Sequence, residues 1–153
     1  MECFYENGLQ FECSRCSFCC GHSPGFVYFS RNDLERLLDF FKMPVKEFIE
    51  KYCRFVDYYY GETVLALKEL KNFDCILWNN GCSAYNARPV QCSTYPFWSC
   101  MIKDKKVWDE CSKDCPGINR GKIWNKNQIE EQKKLYDENR PLKKEEVIKM
   151  YAQ

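Results

Sequence analysis

The stretch Phe11-Glu12-Cys13-Ser14-Arg15-Cys16-Ser17-Phe18-Cys19-Cys20-Gly21-His22 gathers four cysteines and the only histidine of the chain into a dozen residues. Sulfur at that density serves metal binding or disulfide bonding. Local geometry separates the two, because Cys19 and Cys20 are neighbours and adjacent Cα atoms, about 3.8 Å apart, fall below the span of a relaxed disulfide. The start Met1-Glu2-Cys3-Phe4 lacks the basic-then-apolar pattern of a secretory signal, and no run of about 18 apolar residues occurs. A soluble cytoplasmic protein without a membrane segment is the expectation. There the 12 cysteines would stay reduced, which favours metal over a disulfide framework.

A chain of 153 residues, 45% of them hydrophobic, suits one domain with a modest core, small enough for a metal to matter as a staple. Lys+Arg 23 against Asp+Glu 22 leaves a net charge of +1, so no global field recruits nucleic acid or an anionic membrane. The pattern along the chain predicts an α+β fold, with short strands, a two-helix hairpin and a helical C-terminal arm. Residues 1–12 read as an edge strand or ordered tail, and Phe26-Val27-Tyr28-Phe29 as a short buried strand. Ser30-x-x-Asp33 has the form of a capping box ahead of Leu34, Leu37, Leu38 and Phe41 at helical spacing. Val45, Phe48, Ile49 and Tyr52 repeat that spacing after Pro44.

Further on, Tyr58-Tyr59-Tyr60-Gly61 and Thr63 to Leu67 read as strands joined by a turn. Asn80-Gly81 signals a hairpin with Cys75 at its entry and Cys82 beside its turn. Arg88-Pro89 opens a helical turn carrying Cys92, before an aromatic wall at Thr94-Tyr95-Pro96-Phe97-Trp98. Cys100, Cys111 and Cys115 fall in a lysine-rich, loop-like section. A cap at Asn127-x-x-Glu130 and a break at Pro141 then predict two terminal helices, the second with Val147, Ile148 and Tyr151. Residues 1–122 are thus expected to form a cysteine-cluster metal-binding domain, and 123–153 its helical extension.

Three sulfurs at Cys13-x2-Cys16-x2-Cys19 can converge on one centre through tight turns. Zinc sites use such pairs two at a time, whereas a continuous triple with a remote Cys-Pro, here Cys115-Pro116, is closer to iron–sulfur ligation. One division gives Cys13, Cys16, Cys19 and Cys115 to one centre and Cys20, Cys75, Cys82 and Cys92 to another. Zinc in one or two tetrahedral thiolate sites is the alternative. His22 could replace a thiolate, and Arg15 and Arg88 could offset the negative charge from behind the ligands. Cys53 reads as a small core residue.

Cys13-x2-Cys16-x2-Cys19-Cys20, then Cys75-Ile76-Leu77, Cys82-Ser83-Ala84-Tyr85-x2-Arg88-Pro89-x2-Cys92-x2-Tyr95-Pro96-Phe97 and Cys115-Pro116-Gly117-Ile118, resembles the CxxCxxCC cysteine-cluster family. Members are described as zinc- or iron-chelating domains and are linked by similarity to flagellin lysine N-methylases. The resemblance covers roughly residues 11–122 and implies metal ligation by Cys13, Cys16, Cys19, Cys20, Cys75, Cys82, Cys92 and Cys115. Cys3, Cys53, Cys100 and Cys111 lie outside its pattern, with Cys111-x3-Cys115 the pair to examine for a further site.

Two functions follow. In the first, a 4Fe-4S type of cluster, one or two per chain, supports redox chemistry or modification of a protein or peptide. No glycine-rich loop follows a strand here, and no Cys-x3-Cys-x2-Cys occurs, so autonomous methyl transfer or radical chemistry has no motif behind it. In the second, a structural zinc module presents its helices, or the basic section around Lys103, Lys105, Lys106 and Lys113, to a partner protein or RNA. With net charge near neutral, a solvated charged face is the simpler account of those lysines, and a protein or peptide partner is expected rather than nucleic acid. Cysteine nucleophilic catalysis ranks last, since His22 is the only histidine that could serve as base.

Overall fold

A computed structural model describes residues 3–14, 26–71, 75–77 and 82–152. Helices and short antiparallel strands are combined in an α+β architecture. The chain forms two compact units, Met1–Phe18 with Thr94–Glu138 and Cys19–Ser93 with Asn139–Gln153.

In the first unit, β1 (Leu9–Phe11) pairs antiparallel with β4 (Ile118–Trp124), with Leu9 opposite Trp124 and Phe11 opposite Ile118. The register shifts between Gln10 and Phe11, and the surplus residues of β4 are absorbed where Asn119 and Gly121 take positive φ. The inward residues meet an aromatic core. Phe97 stacks on Trp108 at 5.8 Å, tilts against Trp124 at 5.0 Å and meets Phe11 edge-on at 5.8 Å. Trp108 belongs to α4 (Lys105–Cys111), capped by the Asp104 carboxylate accepting from the Val107 N–H. The section around Cys111 is therefore helical rather than loop-like. Buried Trp108 keeps its indole N–H satisfied by Asn119 Oδ1 at 2.9 Å, as a buried polar group must. The helix α5 (Lys126–Glu138) is capped reciprocally by Asn125 and Gln128, two residues ahead of the expected cap. Glu130 instead accepts from Tyr5 Oη at 2.6 Å.

In the second unit, α1 (Arg31–Phe41) starts at the Ser30/Asp33 capping box and stops at Lys42, which takes the left-handed conformation. Pro44 forms the N-cap of α2 (Val45–Tyr52). Cys53 begins β2 (Cys53–Asp57), which pairs antiparallel with β3 (Thr63–Leu67). The tyrosines 58–60 are the connection, not a strand, with Tyr60 and Gly61 both at positive φ. Phe26–Phe29 is extended but contributes one bridge, Tyr28 to Ala66, rather than a full strand. The helix α6 (Lys144–Tyr151) contributes Val147 and Met150 to a core with Phe29, Leu34, Leu37, Phe48, Ile49 and Leu65. Both terminal helices exist as expected, but α5 packs in the first unit and α6 in the second.

Trp108 and Phe48 anchor the two cores. Each changed to alanine should lower the unfolding free energy by about 3–5 kcal/mol, read from urea-denaturation midpoints. A loss under about 1 kcal/mol would remove that residue from the core.

Candidate metal centre

The pairing of β1 with β4 continues past the strand ends. Glu12 N–H donates to Gly117 O at 3.2 Å, one step beyond the Phe11–Ile118 pair. Cys13 follows Glu12 directly, and Cys115 precedes Gly117 by two residues on the facing chain. The register thus places Cys13 and Cys115, 102 positions apart in sequence, on facing segments of the chain. Gly117 is required for this approach, because a Cβ there would run into the Glu12 carbonyl. Cys13 is exposed and Cys115 buried.

A turn then sets Cys115. Its N–H donates to Cys111 O at 3.0 Å, and Ile118 N–H returns to Cys115 O at 3.2 Å. Cys111, at the end of α4, is thereby one helical turn from Cys115. Burial pushes its thiol pKa up, and charge on Cys100, Asp114, Glu110 and Cys115 adds to the shift. Cys100 is exposed. Both residues lie outside the ligand pattern read from the sequence, and of the two only Cys111 carries a signal there, its x3 spacing from Cys115.

The second unit holds Cys75, Cys82 and Cys92, each partly exposed. Cys75 bridges to Glu69, and Ile76 N–H donates to Lys68 O at 3.1 Å. Ser83, next to Cys82, donates its N–H and its hydroxyl to Leu77 O at 2.7 and 2.6 Å. Cys75 and Cys82 pack against the same core. Next, a tight turn at Tyr85–Ala87 leads to α3 (Val90–Ser93), which carries Cys92. Arg88 braces this path, with Nε on Tyr85 O at 2.9 Å and its guanidinium 3.9 Å from the Tyr85 ring centre. Gln91, beside Cys92, accepts from Tyr28 N–H at 2.9 Å and donates to Phe26 O at 2.8 Å. It holds the chain just after the cysteine run.

Cys16, Cys19, Cys20 and His22, with Arg15 and the Asn80-Gly81 turn, lie outside the described residues. Among the described residues, no three His, Cys, Asp or Glu side chains are grouped to hold a metal ion. The fit to a thiophilic metal therefore lies in donor chemistry and backbone placement. Sulfur donors select zinc, copper(I) and iron–sulfur centres over hard cations. Two described candidates lie in one unit and three in the other.

Cys53 behaves differently. It is 4% exposed, and burial pushes its thiol far above the ordinary value of 9.0. It is a core residue.

Thiol-rich placement of this kind defines a metal-chelating domain. The CxxCxxCC family, described as "Putative zinc- or iron-chelating domain", matches residues 12–116, and the chain belongs to that family. Similar proteins include two from Methanocaldococcus jannaschii (strain ATCC 43067 / DSM 2661 / JAL-1 / JCM 10045 / NBRC 100440). Uncharacterized protein MJ0661 is 31% identical over 106 residues, 67% of this chain and 53% of that protein. Uncharacterized protein MJ0939 is 31% identical over 143 residues, 84% of this chain and 45% of that protein. The chain spans about half the length of these relatives. No solved structure matches it. Among the described residues, no helix is long and apolar enough to cross a membrane.

Two outcomes test these placements. Gly117→Ala should cost about 1–3 kcal/mol by forcing the paired strands apart, measured by thermal unfolding; an unchanged midpoint would remove the close approach. Iodoacetamide attacks thiolates, so mass spectrometry of the folded chain at mildly alkaline pH should find Cys13 and Cys100 modified well before Cys53. The fold keeps the Cys53 proton that the unfolded chain releases near its ordinary pKa, so this residue's contribution to stability falls as pH rises through that value. Early labelling of Cys53 would contradict its burial.

Proposed function

We propose that this chain is an iron–sulfur protein of the cytoplasm whose thiolates form two centres, one from Cys13, Cys16, Cys19 and Cys115 and one from Cys20, Cys75, Cys82 and Cys92. The observation that carries the reading is the Glu12–Gly117 bond, which sets Cys13 beside the Cys115-Pro116-Gly117 segment. A continuous Cys-x2-Cys-x2-Cys run joined by a remote Cys-Pro is closer to iron–sulfur ligation than to the paired spacing of zinc sites. The second set draws support from the common unit of Cys75, Cys82 and Cys92, and from Gln91, which ties the Cys92 turn to the chain leaving the cysteine run. Adjacent Cys19 and Cys20 would then serve different centres.

Bound clusters would supply electron transfer. The protein's own part is to fix the thiolates and present a substrate. That role suits redox chemistry or modification of a protein or peptide, in keeping with the family's similarity to flagellin N-methylases. A near-neutral net charge of +1 favours a protein or peptide partner over nucleic acid.

Anaerobic purification followed by iron, zinc and sulfide analysis tests the reading. The expected product is brown, with iron and sulfide in similar amounts, and Cys115→Ser should remove one centre's share of both. A colourless protein with stoichiometric zinc, no sulfide and no iron uptake on reconstitution would replace the clusters with a structural zinc module.

A further inference from the structure

Asp33 is fully buried, yet a helix cap requires no such burial, since Ser30 alone would meet the first-turn amides of α1. The carboxylate makes four bonds, two on each oxygen. Oδ2 accepts from Ser30 N–H at 3.1 Å and Asn139 Nδ2 at 2.9 Å. Oδ1 accepts from Arg36 Nη2 at 2.7 Å and Val90 N–H at 3.0 Å. Arg36 Nη2 reaches on to Arg88 O at 2.8 Å. Asp33 thus joins the start of α1, the segment at Asn139 and the Val90 end of the Arg88-Pro89-Val90 turn, whose Arg88 end is held by its partner Arg36.

That turn leads into α3, only four residues long and too short to hold its own geometry. Its first amide, Val90 N–H, is one that a helix cannot satisfy internally, and Asp33 satisfies it. The next residue, Gln91, is pinned by Tyr28 and Phe26. Two consecutive residues are therefore fixed by side-chain bonds to other elements, and the third is Cys92. Helix capping accounts for the Ser30 bond and structural cross-linking for Asn139. Neither accounts for the paired grip on Arg88 and Val90, or for the separate grip through Gln91.

We propose that Asp33 and Gln91 are positioning residues of the metal centre, holding the Arg88–Gln91 turn so that Cys92 is delivered to the ion, without being ligands themselves. The proposal rests on the reading of Cys92 as a ligand. Partners behind metal ligands typically alter affinity by about 10–100-fold when removed, whereas a residue with a purely structural role lowers metal-free and metal-loaded stability alike.

The test uses the full chain, stripped of metal under anaerobic conditions and titrated with Co²⁺ against a competing chelator. Thiolate-to-cobalt absorption is followed, and thermal midpoints are taken with and without Co²⁺. Asp33→Asn and Gln91→Ala should each weaken Co²⁺ binding by about tenfold or more and shrink the Co²⁺-induced rise in midpoint. Adding either to Cys92→Ser should cause no further loss of affinity. Gln91→Ala leaves the α1 cap untouched, so it decides the matter if Asp33→Asn does not fold. Unchanged Co²⁺ affinity in the folded variants, with both midpoints lowered equally, would overturn the proposal. If Cys92→Ser itself leaves affinity and absorption unchanged, the ligand reading of Cys92 falls, and the positioning role falls with it. The two failures are distinguished by which variant is silent.

Discussion

The antiparallel pairing of residues 9–11 with 118–124 is the interaction on which the first unit depends. Closing a loop of more than 100 residues carries an entropic cost that grows slowly with length, and a two-stranded ribbon is marginal by itself. Here the ribbon is held by what packs on it, since Phe11, Phe97, Trp108 and Trp124 form one aromatic cluster. Because side chains alternate along a strand, a slip of one residue would turn Phe11 and Ile118 out of that core. Hydrophobic packing therefore fixes the register, and the register sets Cys13 beside the Cys115 segment. Thiol placement in this unit is a consequence of burying aromatic rings.

The second unit reaches a similar end by polar means. Cys92 lies on a helical turn too short to stabilise itself, and its neighbours are secured by hydrogen bonds from α1 and from the chain at Phe26–Tyr28. Ser83 is likewise tied to Leu77 by two bonds to one carbonyl. Such a frame tolerates less substitution than a greasy core, because removing one partner strands a buried donor or acceptor. Directional bonds offer in exchange a tighter specification of where the backbone runs.

What could be read from the sequence was what is local. Ser30-x-x-Asp33 followed by apolar residues at helical spacing is a complete signal in itself, and so is the pattern of α6; both helices are found where expected. The strand β2 was hidden because Cys53 follows Tyr52 without a turn residue. The tyrosines 58–60 have high strand propensity, yet the left-handed backbone at Tyr60 and Gly61 makes them the bend. The strand β4 escaped notice because Ile118 is buried and the next residues are exposed, without the alternation that marks a half-buried strand. At the site, cysteines declare themselves by residue type. Asp33 did not, since its cap partner is three residues away while Val90 and Asn139 are 57 and 106 residues away. Gln91 carried no signal, its role existing only in three dimensions.

The two ways of using cysteine bear on what a metal does here. Cys53 is treated as a hydrophobe, sealed in the core with its proton held. Cys13, Cys75, Cys82 and Cys92 retain access to solvent. Domains that need a metal to fold generally lack enough apolar residues to close a core. Each unit here has a closed one, built on Trp108 and Phe97 in the first and on Phe29, Leu34 and Phe48 in the second. Stapling is then a weak reason for collecting so many thiols at the margins of cores that already exist. Apart from buried Cys115, the candidate ligands described in each unit stand where a bound metal would remain reachable from solvent.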